Sequence, residues 1–136
     1  MTFWRDGLGF AVLMDQEFDG PWPELFGGSA TTLRAVFLGD ANAPESGVVE
    51  LVELEGMGDR AEPGAGPPPE GFLLLSLYAD LDEVLPRLAA LGVGGDPVIG
   101  EVAGVRLAVL RDPNGVRVEL MDSPAQANVA YLAARP

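Results

Sequence analysis

Neither histidine nor cysteine occurs among the 136 residues of the chain. Without cysteine there can be no disulfide and no thiolate ligand, and the redox state of the compartment cannot be read. Without both residue types no Ser-His or Cys-His nucleophile can form, so general acid–base work falls to Glu, Asp, Tyr or Arg. Basic residues are few, 8 against 21 acidic ones, for a net charge of −13. A field of that sign repels phosphate backbones, so nucleic acid is not an expected partner. It draws in cationic small molecules, or serves solubility alone. Aromatics make up only 7% of the chain, so Leu, Val and Ala must fill most of the core. No apolar run reaches the ~18 residues of a membrane span. The N-terminus has no basic region followed by an apolar stretch, as a secretory signal would. No membrane partner and a cytoplasmic location are therefore the default expectations.

What is present fits one domain with short elements. The chain is 48% hydrophobic, and its 18 Gly and 12 Pro point to many tight turns. Hydrophobic periodicity predicts strands over residues 9–18, 31–39, 48–54, 71–79, 98–102, 105–111 and 116–121. Residues 21–28 read as a loop or a single helical turn. A helix is predicted over 80–91. Asp80 and Glu83 fit a capping box, Val84, Leu85, Leu88 and Leu91 form an apolar stripe, and Gly92 closes it. Pro86 sits early enough in it to cost little more than one hydrogen bond. Residues 56–70 read as a linker stiffened by Pro67, Pro68 and Pro69. Its glycines are no phosphate loop, because no helix follows them. Asp112-Pro113-Asn114-Gly115 is a tight turn, and Ser123-Pro124-Ala125-Gln126 opens a helical tail over 123–136.

The chain repeats itself. Leu33-Arg34-Ala35-Val36-Phe37-Leu38 resembles Val105-Arg106-Leu107-Ala108-Val109-Leu110. Val48-Val49-Glu50-Leu51 resembles Arg117-Val118-Glu119-Leu120, and Leu8-Gly9-Phe10 resembles Leu91-Gly92-Val93. The spacing between copies drifts, so the connecting loops differ in length. The second copy reads strand, helix, strand, strand, strand. The first has the three later strands, with Phe3 to Gly9 as the last turn of its helix and a glycine cap.

These segments resemble the vicinal oxygen chelate superfamily, the glyoxalase, bleomycin-resistance and extradiol dioxygenase group. Phe3-Trp4-Arg5-Asp6-Gly7-Leu8-Gly9-Phe10 is similar to the end of its first helix, Tyr78-Ala79-Asp80-Leu81-Asp82 to the start of its second. Asp112-Pro113-Asn114-Gly115-Val116-Arg117-Val118-Glu119-Leu120 resembles the turn before its last strand. The resemblance implies an α+β fold of two βαβββ units forming a curved mixed sheet, the first unit lacking its opening strand and most of its helix. Unit one would span 1–55 and unit two 71–122, one domain over 1–122 with the tail outside it. In metal-dependent members four side chains converge, commonly His, Glu, His and Glu. Glu50 and Glu119 match two of these positions. A third falls at Leu73 or Leu74, which have no lone pair to offer. No cofactor and no conventional metal site are expected.

Glu50 and Glu119 are thus the candidate catalytic residues, as a pair of carboxylates acting as base. Equally, each is solvated or paired with Arg34, Arg106 or Arg117. Trp22 and Phe26 are candidate ligand walls or lid residues, or else pack over the core edge. Tyr78 either offers its hydroxyl to a ligand or packs under the helix. Leu73, Arg34, Arg106 and Met121 complete the candidate ligand-binding set. If the opening strand is truly absent, Phe3 and Trp4 would lie over an exposed core that a partner chain could cover. Three functions remain open. The first is a protein binding a small, partly apolar organic molecule, cationic or neutral. The second is a glyoxalase-type lyase or isomerase, or a dioxygenase-like enzyme. The third is a degenerate copy stable only as a dimer. A homodimer is expected on family habit and on the open strand edge.

Overall fold

The computed structural model describes residues 1–27, 29–43, 47–56, 71, 74–102 and 104–122. The predicted tail helix, most of the predicted linker and Leu73 lie outside the described residues. The chain divides into two compact units, Phe3–Ala61 and Glu62–Pro136.

A helical segment, Thr2–Gly7, opens the chain. It is wound as a π-helix, the Leu8 N–H donating to the Phe3 carbonyl at 2.9 Å. Gly9, at φ 83°, ends it as the sequence suggested. Phe3 and Trp4 are 0% and 3% exposed. The single chain already covers them, so no partner is needed to bury these two rings. Their rings meet edge to face at 5.1 Å, and Trp4 stacks on Phe10 at 6.0 Å.

The first unit continues with β1 (Ala11–Asp19), α1 (Trp22–Phe26), β2 (Thr32–Gly39) and β3 (Val49–Leu54). The strands form an antiparallel sheet in the order β1-β2-β3. Leu33, Ala35 and Leu54 are its buried cluster, with Phe18, Trp22, Ala30 and Phe37 packed against them.

The second unit comprises β4 (Leu75–Ala79), α2 (Leu81–Ala90), β5 (Val98–Val102), β6 (Val105–Arg111) and β7 (Arg117–Asp122). Its sheet order is β4-β7-β6-β5, with β4 parallel to β7 and the other pairs antiparallel. A parallel pair needs a long crossover, and α2 begins it. The first unit lacks counterparts of β4 and of most of α2 among the described residues, so the fold is α+β with one full βαβββ unit and one shortened copy.

Helix α2 forms where the sequence places it. The Asp80 carboxylate accepts from the N–H groups of Asp82 and Glu83 at 3.0 and 3.2 Å. Glu83 does not close the capping box. It takes a guanidinium bond from Arg87 one turn on, at 2.7 Å. The buried stripe is Leu81, Val84 and Leu88, whereas Leu91 is 40% exposed. Leu91 falls just past the last helical residue, where the chain turns at Gly92 with φ 66°. Beneath the stripe lie Ala108, Leu110, Val118 and Leu120, none more than 3% exposed. Each buried leucine of this layer contributes roughly 1.5–3 kcal/mol. Gly94 closes the layer at the end of the helix. A side chain there would lie 3.1 Å from Leu110 and 3.8 Å from Leu88.

The repeat is visible in register. Phe37 opposes Glu50 across β2 and β3, and Val109 opposes Glu119 across β6 and β7. Ion pairs repeat with it: Arg34 meets Glu53 at 3.5 Å, and Arg106 meets Asp122 at 2.6 Å.

Candidate functional site

The two faces of the second sheet differ. Side chains alternate along each strand. Leu77, Ala108, Leu110, Val118 and Leu120 point to the α2 side. On the other side stand Ser76 and Tyr78 from β4, Arg117, Glu119 and Met121 from β7, and Leu107, Val109 and Arg111 from β6. None of these eight is buried. Tyr78 is 59% exposed, so it does not pack under the helix.

Glu119 sits near the middle of the open face. Its register partner on β4 is Ser76, whose hydroxyl donates to the Glu119 carboxylate at 2.6 Å. That bond draws the carboxylate toward β4 and leaves its other oxygen to accept from something else. Tyr78 and Met121 form the next cross-strand pair, and Val109 flanks Glu119 on the β6 side. The resulting surface joins an acceptor, a hydroxyl, a phenol and a thioether on rigid strands.

Below Glu119 along β7 the charge reverses. Arg117 is directly opposite Arg111 of β6. Arg111 donates to the Gly115 carbonyl at 2.9 Å. Both line a hollow of about 280 Å³ with Gly94, Gly95, Asp96 and Val98. The last strand is positioned from below by Asp112, only 5% exposed. Its carboxylate accepts from the N–H groups of Asn114 and Val116 at 2.9 and 2.8 Å, and its backbone pairs with Val116 and Gly115. Gly115 adopts φ 83°, which a side chain resists.

The remaining sequence candidates fall elsewhere. Glu50 is an exposed residue of the first unit, opposite Phe37 on the face that carries Val52 and Leu54. Neither Glu50 nor Glu119 pairs with an arginine among the described residues. Arg34 is held by Asp15, through two bonds of 2.7 Å, and by Glu53. The Arg34 guanidinium holds the Asp15 carboxyl below the usual carboxylate range, and Arg34 itself is pushed up by the same bonds. Arg106 lies on the α2 side of its sheet, bonded to Asp82 and Asp122 at 2.8 and 2.9 Å. Those two carboxylates raise its pKa, Asp82 most. Trp22 packs on the first-unit cluster and donates to the Phe18 carbonyl at 2.8 Å. Phe26, 60% exposed, stacks on it at 5.8 Å.

The donor set does not fit the metal centre of the metal-dependent members of the superfamily that the sequence resembles. The chain holds no imidazole and no thiolate, and among the described residues no three carboxylates converge. The Glu119 carboxylate is shared with a serine hydroxyl instead.

With the fold and this face in view, the likeness to known proteins can be read. No protein-family model matches the chain. It is 34% identical to the lactoylglutathione lyase-like protein terB of Aspergillus terreus, over 91% of this chain and 68% of that protein. The fold matches a glyoxalase family protein from Bacillus cereus with a TM-score of 0.66, at 20% identity over 88% of this chain and 81% of that one. It also matches a trypanothione-dependent glyoxalase I from Leishmania major with a TM-score of 0.61, at 21% identity over 97% and 82%. The chain belongs to the vicinal oxygen chelate superfamily, among its glyoxalase-like members.

Proposed function

We propose that the chain binds a small organic molecule on the open face of its second sheet. Glu119 is the accepting group, Ser76 and Tyr78 are flanking hydroxyls, and Met121 is an apolar contact. The observation that carries this reading is the sidedness of the sheet. One face is sealed by α2, while the other leaves a half-buried carboxylate, fixed at 2.6 Å by one serine, among side chains none of which is buried. Binding requires no metal, which suits a donor set without imidazole. Glu119→Gln keeps an oxygen to accept from Ser76 but loses the charge. A fragment screen by thermal shift is expected to give ligands of the native chain whose response drops in this variant. Ligands that stabilise both proteins equally would contradict the assignment.

A second reading is favoured by the curated relative, which is described as lactoylglutathione lyase-like. Here Glu119 takes a proton from a carbon beside a carbonyl and returns it to a neighbouring atom. Incubation with lactoylglutathione in D₂O tests this directly. Deuterium uptake that is lost in Glu119→Gln supports it, and unchanged substrate refutes it. Glu50, exposed and equivalent by the repeat, is the corresponding group of the first unit, and Trp22 and Phe26 are candidate ligand walls or lid residues of that unit.

The acidic field favours cationic molecules in general. A hollow of about 560 Å³ in the first unit, lined by Glu17, Glu53 and Glu55 beside Arg34, is where a cationic group would be held. A homodimer in the cytoplasm completes the proposal. Every residue of β5 is exposed, with Val98 at 71%, Ile99 at 59% and Val102 at 64%, which suits an edge that a second strand covers. Concentration-independent monomeric elution would refute the dimer.

A further inference from the structure

We infer that Arg111 and Arg117 form an anion subsite on the open face of the second sheet, built to take a carboxylate at one end of the ligand. The inference deepens the small-molecule reading and rests on it.

Cations are scarce in this chain, with 8 arginines and no lysine against 21 acids. Four of the six described arginines, Arg5, Arg34, Arg87 and Arg106, are ion-paired to carboxylates. The two without a carboxylate partner among the described residues, Arg111 and Arg117, are direct cross-strand neighbours. Like charges in that position destabilise a sheet. Surplus acids elsewhere give many ways to neutralise them, and none among the described residues is used. Asp96 lines the same hollow but forms no ion pair with either. Glu119, two residues along β7, is drawn to Ser76 on the strand away from Arg111. A bond from Arg111 to the Gly115 carbonyl fixes one guanidinium, and its other donors stay free of partners among the described residues.

Two half-buried arginines lining one hollow carry the planar forks that a carboxylate accepts. The hollow, about 280 Å³, suits an end group rather than a whole drug-sized ligand. Val98 and Val109 supply an apolar wall for the carbon chain that carries the anion. Glu119 lies about 7 Å further along the strand, two residues of strand rise away. The ligand class this favours has a carboxylate at one end and a hydrogen-bond donor or cationic group nearer Glu119. The overall acidity of the chain therefore does not describe the charge of this face.

The test uses the full chain, with hexanoate and its neutral amide, hexanamide, as probes followed by amide and arginine Nε–H NMR shifts. Hexanoate is expected to move Arg111, Arg117 and Val98 with saturation, and hexanamide to bind at least about tenfold more weakly. Arg117→Met is expected to lose hexanoate binding about tenfold while raising the melting temperature of the ligand-free protein, because it relieves the repulsion. Arg117→Lys should recover part of the affinity. No response to hexanoate would overturn the subsite. So would a lowered melting temperature of Arg117→Met with hexanoate binding intact, the mark of a structural arginine. Equal binding of acid and amide, lost in Glu119→Gln but not in Arg117→Met, would overturn the subsite and leave the small-molecule reading standing.

Discussion

At the scale of single residues, the carboxylates divide by the job each does. Asp112 is buried and bonded to two N–H groups of the turn it opens. Replacing it with alanine strands those donors and is expected to cost roughly 2–4 kcal/mol in denaturant unfolding, with the side chains of the open face themselves untouched. A cost near zero would mean that the turn is held by its backbone alone. Asp15 behaves differently. Bonding to Arg34 lowers its pKa in the folded state, so its stabilising contribution is present above the ordinary carboxylate value and is lost as pH falls through the lowered one. Arg34→Met should move the Asp15 midpoint upward in an NMR pH titration; an unmoved midpoint would show that the pair does not persist in solution. The equivalence of Glu50 and Glu119 was legible in the sequence because the repeat aligns them, and the strand registers agree with it. The serine that orients Glu119 was overlooked. Its signal was present, since Ser76 is the single serine in an apolar run, and strand alternation sets it on the face of Tyr78. The opposed arginines could not be read in advance, because their pairing depends on the register of β6 against β7.

At the scale of elements, strands and helix were legible to within a few residues, since periodicity and caps are local. The buried stripe of α2 was misplaced at its end because Leu91 matches the helical spacing yet sits beyond the last turn. Pro86 lies inside the helix, where its missing N–H leaves the Asp82 carbonyl without its usual donor. Pro86→Ala restores that bond and is expected to stabilise the protein by about 1–3 kcal/mol. Thermal melts showing no gain would mean that the ring makes compensating contacts. The first sheet shows the limit of local reading in another way. Trp22 was a candidate for the ligand, but the same indole packs on Leu33, Ala35 and Leu54 and bonds to the Phe18 carbonyl. Only the tertiary fold reveals that it has structural work as well.

At the scale of the whole molecule, the net charge of −13 acts as self-repulsion as well as a solubility aid. Raising salt from about 10 to 300 mM should therefore raise the melting temperature by screening it, despite weakening the exposed arginine pairs. A fall would mean that those pairs outweigh the repulsion. Family membership sets the frame of two related units, and the departures within it point to function: no imidazole, a serine-bound glutamate, and two arginines without carboxylate partners among the described residues on one open face. The most direct test of that account is an amide and methionine-methyl NMR map of the full chain during a fragment screen. The account predicts that binding fragments shift Ser76, Tyr78, Glu119 and Met121 together, with acidic fragments extending the shifts to Arg111 and Arg117. Fragments that bind while leaving those four residues unmoved would contradict it.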